Sequence, residues 1–296
     1  MTSEPIAAEV LAVIVALVDG EPCVLTLPDA PRLPAGPVLP GHRSLQTAVR
    51  AWVEEQTGLR IGYLEQLYTF ADRDREDGGT RTISVSYLGL VRELRARAGQ
   101  WRHWYALFPW EDQRTGDDMV TGTVAPALGP WLREGGRAAR RQRCAITFGL
   151  AGRPWQPDLA LQRYEILYEA GLVPESPAER RREVLIPGER LDGDHRRVLA
   201  TGVARLRAKI QYRPVVFELM PPQFTLGQLQ CCVEALAGRV VHTQNFRRLV
   251  EQQQLVEETG GLAGTRGRPA RLYRFRREVL QERQAAGTKL PAPRSR

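Results

Sequence analysis

Residues 225–253 read TLGQLQCCVEALAGRVVHTQNFRRLVEQQ, and this stretch contains the start and stop signals of two short helices. Thr225 and Gln228 have the spacing of a capping box, which satisfies the first free amide groups of a helix. Gly238 is the type of residue that ends a helix, because it tolerates the left-handed conformation found there. The apolar side chains of the predicted buried face recur at helical spacing: Leu226, Leu229, Val233 and Leu236.

A second helix is predicted from Gln244 to about Gln253, with Thr243 as its N-cap. The side chains expected to face inward are Phe246, Leu249 and Val250. The side chains expected to face outward are Gln244, Arg247, Arg248 and Gln252. Arginine can bind guanine, and glutamine adenine, through paired hydrogen bonds. Two short helices with such side chains on the second one predict a helix-turn-helix that enters the major groove of DNA.

An arginine-rich hairpin is predicted after the two helices. Residues 255–258 (LVEE) and 271–275 (RLYRF) are expected to be its strands, and residues 259–270 (TGGLAGTRGRPA) a flexible turn. The hairpin corresponds to a wing, with arginines at its tip and flank that are expected to contact phosphates or the minor groove. These arginines are Arg266, Arg268 and Arg271.

The positive charge of the chain is concentrated in this C-terminal third. Residues 201–296 contain 17 Lys and Arg against 7 Asp and Glu, whereas residues 1–200 contain 25 against 27. A basic surplus confined to one region indicates a polyanionic partner for that region. Charge, helix pair and hairpin together favour double-stranded DNA; the alternative is a basic module that binds protein without reading DNA.

Length and composition describe an ordinary globular protein. A chain of 296 residues, 43% apolar and 26% charged, has room for two domains. The four cysteines, Cys23, Cys144, Cys231 and Cys232, lack the spacing of a zinc site, and no disulfide framework is expected. The apolar run near the N-terminus is too short to span a bilayer and has no basic leader, so we expect a cytoplasmic protein.

The first hundred residues predict a mixed α+β domain. Strands are expected at residues 10–18 and 22–27, joined by the Asp19-Gly20 turn, and at residues 64–70 and 82–91, separated by a charged turn over 72–81. Residues 28–41 are rich in proline and glycine and are expected to be a loop. A helix is predicted from Ser44 to its C-cap at Gly58. There is no internal repeat and no strict alternation of strands and helices.

The middle of the chain gives weaker signals. Residues 111–180 are left without assigned structure, except for a helix over 159–172 that stops at Gly171. The basic run over residues 137–143 is expected to be a solvated helix face rather than a phosphate contact. Residues 174–193 contain helix breakers at both ends and are expected to be a connection.

A clearer helix is predicted from Asp194, as its cap, to about Tyr212. Its apolar stripe consists of Leu199, Val203, Leu206 and Ile210. Basic side chains are expected on the rest of its surface: Arg196, Arg197, Arg205, Arg207 and Lys209. This pattern suits a helix that bridges two domains or two subunits; the alternative is packing against its own domain.

Residues 33–59, LPAGPVLPGHRSLQTAVRAWVEEQTGL, resemble the box G-x5-E-x7-R-E-U-x-E-E-x-G-U of the Nudix family, where U is aliphatic. Family members hydrolyse nucleoside diphosphate derivatives with divalent cations held by the box carboxylates. Counting from Gly36, His42 stands at the first glutamate position. If one residue is inserted, Ala51-Trp52 takes the R-E position of the box and Glu55-Gln56 takes the E-E position. Without the insertion, Arg50-Ala51 takes the R-E position and Glu54-Glu55 takes the E-E position. Either alignment leaves too few carboxylates, so we expect no enzyme activity, no catalytic cofactor and no metal; an active Nudix hydrolase with a nucleic-acid-binding tail is the alternative.

A degenerate Nudix domain followed by a winged helix resembles the Nudix-related transcriptional regulators of bacterial NAD metabolism. LRAKIQY, FELMPPQFTLGQLQ, NFRRLVE and GRPARLYRF, within residues 206–275, are similar to the linker helix, helix pair and wing of that family. WYALFPWEDQRTG and RYEILYEAGLV are similar to the subgroup that controls de novo NAD synthesis. The resemblance implies a Nudix-like α/β/α sandwich over 1–193, a linker helix over 194–212, a winged helix-turn-helix over 213–285 and a flexible tail over 286–296.

The resemblance further implies a homodimeric repressor that binds a palindromic operator. Its two recognition helices would lie about one helical turn of DNA apart, or about 34–36 Å. The implied effector is an adenine nucleotide: NAD, ADP-ribose or ATP. The candidate ligand residues are Arg73, Arg75 and Arg81 for the phosphates, and Tyr68, Trp104 or Trp110 for adenine. The alternatives are a solvated hairpin tip for the arginines and core positions for the aromatic residues.

Overall fold

A computed structural model describes residues 6–72, 76–77, 80–92, 94–116, 119–134, 136–264, 269–276 and 278. The chain begins with the predicted hairpin, formed by β1 (Ala7–Val18) and β2 (Glu21–Thr26). Val18 pairs with Glu21, and Asp19 and Gly20 both have positive φ angles, 51° and 84°. Such a two-residue turn matches the right-handed twist of its strands. The middle of β1 is buried on both faces, as its continuous apolar sequence indicates.

A short strand interrupts the predicted loop over residues 28–41. β3 (Ala35–Pro37) pairs antiparallel with β1, with Gly36 opposite Val10. The prediction of an uninterrupted loop was wrong at this point. Three residues that include glycine and proline carry no alternating pattern, so only the pairing with β1 defines the strand.

The remaining strands complete one mixed sheet. They are β4 (Tyr63–Phe70), β5 (Glu76–Asp77), β6 (Thr80–Leu90) and β7 (Gln100–His103). The order is β4-β6-β1-β2-β7, with β3 paired to β1 and β5 to β6. Only the β1–β6 pair is parallel among these contacts of the described strands. The predicted strands over 64–70 and 82–91 are confirmed, and β5 adds a short pairing inside the predicted charged turn.

One face of the sheet is covered by α1 (Leu45–Thr57). Ser44 caps the helix by accepting a hydrogen bond from the amide of Thr47 at 3.1 Å, and Gly58 ends it with a φ of 74°. Ala48, Val49 and Val53 form the buried face. They pack against the β1 side chains Val10, Ala12 and Ile14. The predicted helix and both of its caps are confirmed.

The other face is covered by the short helix α2 (Trp104–Leu107) and by three helices from residues 111–180, the segment that the sequence left largely unassigned. These three are α3 (Ala125–Arg133), α4 (Arg137–Thr147) and α5 (Ala160–Glu169), of which only α5 was predicted. A π-helical turn over Val120–Val124 leads into α3. Gly171 follows α5 with a φ of 74°, as predicted, and residues 170–194 connect to the next helix without a strand or helix.

The predicted long helix is α6 (His195–Ile210), and it lies directly on the sheet. A Cβ on Gly202 would lie 2.9 Å from a methyl carbon of Val13 in β1, so the glycine permits this close approach. The predicted apolar stripe is buried at Leu199, Val203 and Leu206. The sheet with α1 on one side and α5 and α6 on the other forms the expected α/β/α sandwich.

Asp194 is the N-cap residue of α6, as predicted, but its side chain makes no capping hydrogen bond, because its φ and ψ of −100° and 15° lie outside the extended conformation of a capping residue. The prediction for the basic side chains of α6 was wrong in part. Of the basic side chains expected on the surface of the helix, Arg196, Arg207 and Lys209 are buried, whereas Arg205 is exposed as expected. Helical spacing marks these residues as outward-facing only if nothing covers them, and here neighbouring elements do.

The C-terminal module contains α7 (Leu226–Ala237), α8 (Thr243–Gln252) and the hairpin of β8 (Val256–Ala263) and β9 (Ala270–Phe275). The capping box of Thr225 and Gln228 is formed in both directions, and Gly238 ends α7 with a φ of 68°. Both predictions for the first helix are confirmed. The apolar residues of the module and of the sandwich belong to one continuous core.

Three details of the module differ from expectation. His242, not Thr243, is the N-cap of α8, and no side chain caps this helix end. Leu249 is 52% exposed rather than inward-facing. Residues 259–263 belong to β8 rather than to a turn, with a register shift between Glu258 and Leu262 that accommodates the glycines.

All four cysteines are free thiols. Within the described part of the chain, no helix has the length and apolar character needed to cross a membrane. The predicted tail over 286–296 lies outside the described residues.

Candidate DNA-binding and nucleotide-binding sites

The outer face of α8 presents polar side chains that can donate and accept hydrogen bonds. Gln244, Arg247 and Arg248 are exposed, as predicted, and Thr243 is exposed at the first turn. The Thr243 hydroxyl lies 3.2 Å from the side-chain amide nitrogen of Gln230 in α7, which ties the start of α8 to the first helix. On the inner side, Val250 is buried in the core. This arrangement leaves the side chains expected to read DNA free of the core.

Asn245 is an exposed residue of the same helix that the sequence reasoning missed. A helical wheel turns it about 60° from Arg248, on the face opposite the inward Val250. Asparagine can form the same paired hydrogen bonds with adenine as glutamine. The run of polar residues Thr243, Gln244 and Asn245 before Phe246 was the signal that could have identified it.

The wing pairs its arginines with acids of the opposite strand. Arg271 is 67% exposed and donates to Glu258 at 2.6 Å, and Arg274 donates to Glu257 at 2.6 Å. The hydrogen bond and charge of Glu258 raise the pKa of Arg271. Exposed ion pairs of this kind are weak, so a phosphate can replace the carboxylate. Arg266 and Arg268, predicted for the tip, lie outside the described residues.

In the Nudix-like box, neutral side chains fill the contact between α1 and β3. The indole of Trp52 lies over Gly36, where a Cβ would overlap the ring, and its N–H donates to the carbonyl of Pro37 at 2.9 Å. The amide of Gln56 accepts from the backbone N–H of Ala35 at 3.2 Å and donates to its carbonyl at 2.8 Å. In the alignment with one inserted residue, Trp52 and Gln56 occupy two glutamate positions, so packing replaces carboxylates there.

Three of the remaining box residues make hydrogen bonds with separate partners. Glu54 accepts from Arg60 at 2.8 Å on the exposed surface, and Arg50 donates to backbone carbonyls that include Gly62, at 3.1 Å. His42 accepts from the amide of Leu39 at 3.0 Å. Glu55 is exposed. No group of three or more His, Cys, Asp or Glu suited to a metal ion occurs among the described residues.

Of the candidate ligand residues that the structure describes, Tyr68 and Arg81 are exposed and the two tryptophans are buried. Tyr68 is 60% exposed and lies edge-on to Phe70, with ring centroids 5.2 Å apart. Arg81 is exposed and donates to the carbonyl of Ala71 at 3.0 Å. Arg73 and Arg75 lie outside the described residues.

The two tryptophans are a correction. Trp104 and Trp110 are fully buried, and Trp110 packs edge-on to Phe108 with ring centroids 5.8 Å apart. Neither ring presents a face on which adenine could stack. Aromatic side chains in a short apolar segment supply core volume here, which was the alternative that the sequence left open.

A polar groove of about 510 Å³ lies between β4 and the end of α6. Its wall contains Lys209, whose ammonium donates to the hydroxyl of Tyr63 at 2.8 Å and also contacts Glu65. Burial and the nearby charge of Arg213 lower the pKa of Lys209. The exposed guanidinium groups of Arg205 and Arg213 border the same groove.

Comparison with known proteins assigns the C-terminal module. Residues 216–275 match the family model of the NrtR DNA-binding winged helix domain. An Acinetobacter baylyi protein described as the ADPR responsive transcriptional repressor NtrR is 40% identical over 82 residues. This match covers 28% of the chain and 33% of the relative, so it spans about a third of that protein's length.

Solved structures extend the likeness to the whole chain. The crystal structure of Shewanella oneidensis NrtR complexed with a 27mer DNA has a TM-score of 0.56 and 21% identity, covering 93% of this chain and 95% of that one. A MutT/nudix family protein from Enterococcus faecalis has a TM-score of 0.51 and 16% identity, with coverage of 93% and 88%. At these identities the likeness establishes the fold, and the predicted α+β fold class is confirmed. The chain therefore carries an NrtR-type DNA-binding winged helix behind a domain of the Nudix fold.

Proposed function

We propose that the protein is a transcriptional repressor whose winged helix binds operator DNA and whose Nudix-like domain binds ADP-ribose. The observation that carries the proposal is the exposed row of Gln244, Asn245 and Arg248 on α8. This row lies in a module that matches the NrtR DNA-binding winged helix. The resemblance to regulators of NAD metabolism makes genes of NAD synthesis the proposed targets.

ADP-ribose is preferred among the three nucleotides implied by the sequence. The Acinetobacter baylyi relative is described as ADPR responsive and is 40% identical to this chain over 82 residues. NAD and ATP share the adenosine diphosphate part of ADP-ribose, so they are the natural competitors in a binding experiment. The exposed Tyr68 and Arg81 are proposed contacts for the adenine and the phosphates, respectively.

The Nudix-like domain is proposed to bind its nucleotide without hydrolysing it. Two cations that polarise a diphosphate require several carboxylate oxygens held together. Trp52 and Gln56 instead bond to the backbone of β3, and Glu54 pairs with Arg60. If Glu55 still supported catalysis, the wild-type protein would hydrolyse ADP-ribose with Mg²⁺ and the Glu55→Gln variant would not. We expect equal, background rates for both proteins.

The protein is proposed to act as a homodimer on a palindromic site, because a single recognition helix reads too few base pairs for a specific operator. Two helices related by a two-fold axis would contact half-sites about 34–36 Å apart. Light scattering during size-exclusion chromatography should give twice the chain mass of 33.3 kDa.

The deciding experiment is a fluorescence anisotropy titration of DNA from upstream of NAD-synthesis genes. Specific binding should exceed binding to a random duplex by about 10³-fold or more. ADP-ribose should change the affinity for the specific DNA, whereas the random duplex serves as the control for charge alone. Equal affinity for the two duplexes, with no response to any of the three nucleotides, would overturn the proposal.

A further inference from the structure

A buried carboxylate joins the sandwich to the winged helix. Glu111 follows α2 and is 1% exposed. Its two oxygens accept from the guanidinium of Arg163 in α5, at 2.6 and 2.9 Å. One of them also accepts from Arg207 in α6. Both arginines are fully buried, so three charged groups from three parts of the chain form one cluster away from water.

The cluster binds the end of the first winged-helix helix. Arg207 donates to the carbonyl of Leu236 at 2.9 Å, and the hydroxyl of Tyr105 donates to the carbonyl of Ala235 at 2.6 Å. The last carbonyls of a helix have no partner within that helix and need one from outside. Here the sandwich supplies the partners for the last turn of α7.

The backbones of the two parts also touch at this point. The amide of Gln113 donates to the carbonyl of Gly238 at 2.8 Å. A Cβ on Gly238 would overlap the carbonyl oxygen of Glu111, so only glycine allows the approach. The end of α7 therefore docks on the same residue that holds the two arginines.

From the end of α7, the constraint continues to the recognition helix. Only residues 238–242 separate α7 from α8. Glu234 accepts from the amide of Val241 at 2.8 Å, and Gln230 lies 3.2 Å from both the carbonyl of Val241 and the hydroxyl of Thr243. The first turn of α8 is thus fixed to α7, and α7 is fixed to Glu111.

On the other side, α6 connects the cluster to the sheet. Gly202 rests on Val13 of β1, and Arg207 lies on the same helix five residues later. Arg196 anchors the first turn of α6 against Glu175 at 3.2 Å. A shift of α6 relative to the sheet would therefore move the guanidinium that holds Leu236.

A buried trio of charges is a poor means of gaining stability, because desolvating the charges costs free energy that apolar packing would not. Such a cluster does define one geometry, since its hydrogen bonds are satisfied only when all three elements meet. A fixed geometry can justify the free-energy cost of desolvation where the orientation of two domains matters for function.

We propose that Glu111 and Arg207 are positioning residues for DNA recognition: they set the orientation of α8 relative to the Nudix-like domain and transmit the effect of the bound nucleotide. The inference rests on the proposed function. A ligand changes DNA affinity only if it favours one of two arrangements, and a winged helix released from the sandwich would lose the contacts of this cluster.

The test compares Glu111→Gln and Tyr105→Phe with Glu169→Gln in the full-length protein. Glu169→Gln is the control, since it breaks an exposed ion pair with Arg143 that lies away from the junction. For each protein, the dissociation constant of the specific DNA is measured with and without saturating ADP-ribose. Amide hydrogen exchange over residues 226–252 is measured in the same proteins without ligand or DNA.

We expect both junction variants to reduce, at least three-fold, the factor by which ADP-ribose changes the dissociation constant of the specific DNA. We also expect them to speed amide hydrogen exchange near residues 235–241. The control should match the wild type in both measurements. Unchanged exchange and an unchanged ratio in variants that fold would overturn the inference. Should Glu111→Gln fail to fold, Tyr105→Phe decides, because it removes one hydroxyl and leaves the charges paired.

Failure of the proposed function would look different. In that case the wild type itself would show no specific DNA binding or no response to ADP-ribose. Faster exchange in both variants would then still show that Glu111 and Tyr105 hold α7 on the sandwich. The proposal that this contact transmits the effect of the nucleotide would nevertheless be overturned.

Discussion

At the scale of single residues, the arginines of this protein fall into an exposed group and a buried group. Arg247 and Arg248 extend from α8 into solvent, whereas Arg163, Arg196 and Arg207 are buried among carboxylates and backbone carbonyls. The proposals above give the exposed arginines a role in DNA recognition and the buried Arg207 a role in positioning. Sequence alone does not distinguish the groups, because charge is the same and only the covering elements differ.

The exposed group gives the first prediction. Arg248→Ala should weaken binding to the specific DNA by about 1–3 kcal/mol, because a base-contacting arginine forms paired hydrogen bonds with guanine. Binding to a random duplex should change much less. Anisotropy titrations of both duplexes measure the difference.

Arg141→Ala is the matched control, since Arg141 is an exposed arginine on α4 in the other domain. An equal loss in the control would indicate that total charge, and not base reading, governs affinity. It would also revive a phosphate contact for the basic run over residues 137–143.

The second prediction concerns the glycine at the junction. Gly238→Ala should lower the free energy of unfolding by about 1–3 kcal/mol more than Gly260→Ala, because the added methyl overlaps backbone in only one case. Both glycines have positive φ angles, 68° and 77°, so the backbone penalty is shared. A Cβ on Gly260 would meet nothing within 4 Å.

Urea unfolding of both variants measures this difference. Equal midpoints would show that Gly238 does not rest against Glu111 in solution. A larger loss for Gly238→Ala, accompanied by altered DNA affinity, would connect the docking of α7 with the reading of DNA.

At the scale of elements, the sequence predicted those that carry their own signals. Turn residues, caps and apolar spacing within each segment predicted the β1–β2 hairpin, α7, and α1 with both of its ends. No such local signals predicted α3 and α4. α3 contains Pro130 in its interior and follows a π-helical turn, so tertiary packing rather than local preference sustains it.

The α6 helix shows why the site was harder to predict than the fold. Its apolar stripe was found, but its buried arginines were placed in solvent. The partners that cover them, Glu111, Glu175 and the end of α7, come from distant parts of the chain. Long-range contacts of this kind leave no periodic trace in the helix itself, so spacing identifies the stripe and not the cluster.

The elements that meet at Glu111 give the third prediction, on pH. Burial alone would raise the pKa of Glu111, but the charges and hydrogen bonds of Arg163 from α5 and Arg207 from α6 outweigh it and lower the pKa. A depressed pKa in the folded state stabilises the protein fully above about pH 4.5, the ordinary value for this side chain. The stabilisation is lost as the pH falls through the lower folded-state pKa.

Thermal unfolding between pH 6 and pH 3 should therefore show a steep loss of stability in the wild type below about pH 4.5. Glu111→Gln should be less stable at pH 6 and should lose less on acidification. Glu169→Gln should retain the acid transition of the wild type. Parallel curves for the wild type and Glu111→Gln would contradict the buried charge pairing.

At the scale of the whole molecule, the charge distribution separates the chain into two parts, whereas the apolar core joins them. The basic surplus lies in residues 201–296, with the helix-turn-helix and wing, and the acidic excess lies in the rest. Yet the apolar core is continuous between the two parts, and the α6 helix belongs to both. The charge pattern indicates which part of the chain is proposed to bind DNA, whereas the contacts that attach the winged helix to the Nudix-like domain became visible only in three dimensions.

The last prediction follows from that charge distribution. Neutralising DNA phosphates releases counterions, so the logarithm of affinity should fall linearly with the logarithm of salt concentration, with a slope of about −0.9 for each phosphate contacted. If Arg271 contacts a phosphate, Arg271→Gln should reduce the slope by about 1 and weaken binding to specific and random DNA alike, because a phosphate contact carries no sequence information. Arg248→Ala should instead lower the preference for the specific sequence more than it changes the slope. Titrations at several salt concentrations separate the two effects, and a slope left unchanged by Arg271→Gln would mean that Glu258 keeps this arginine away from DNA.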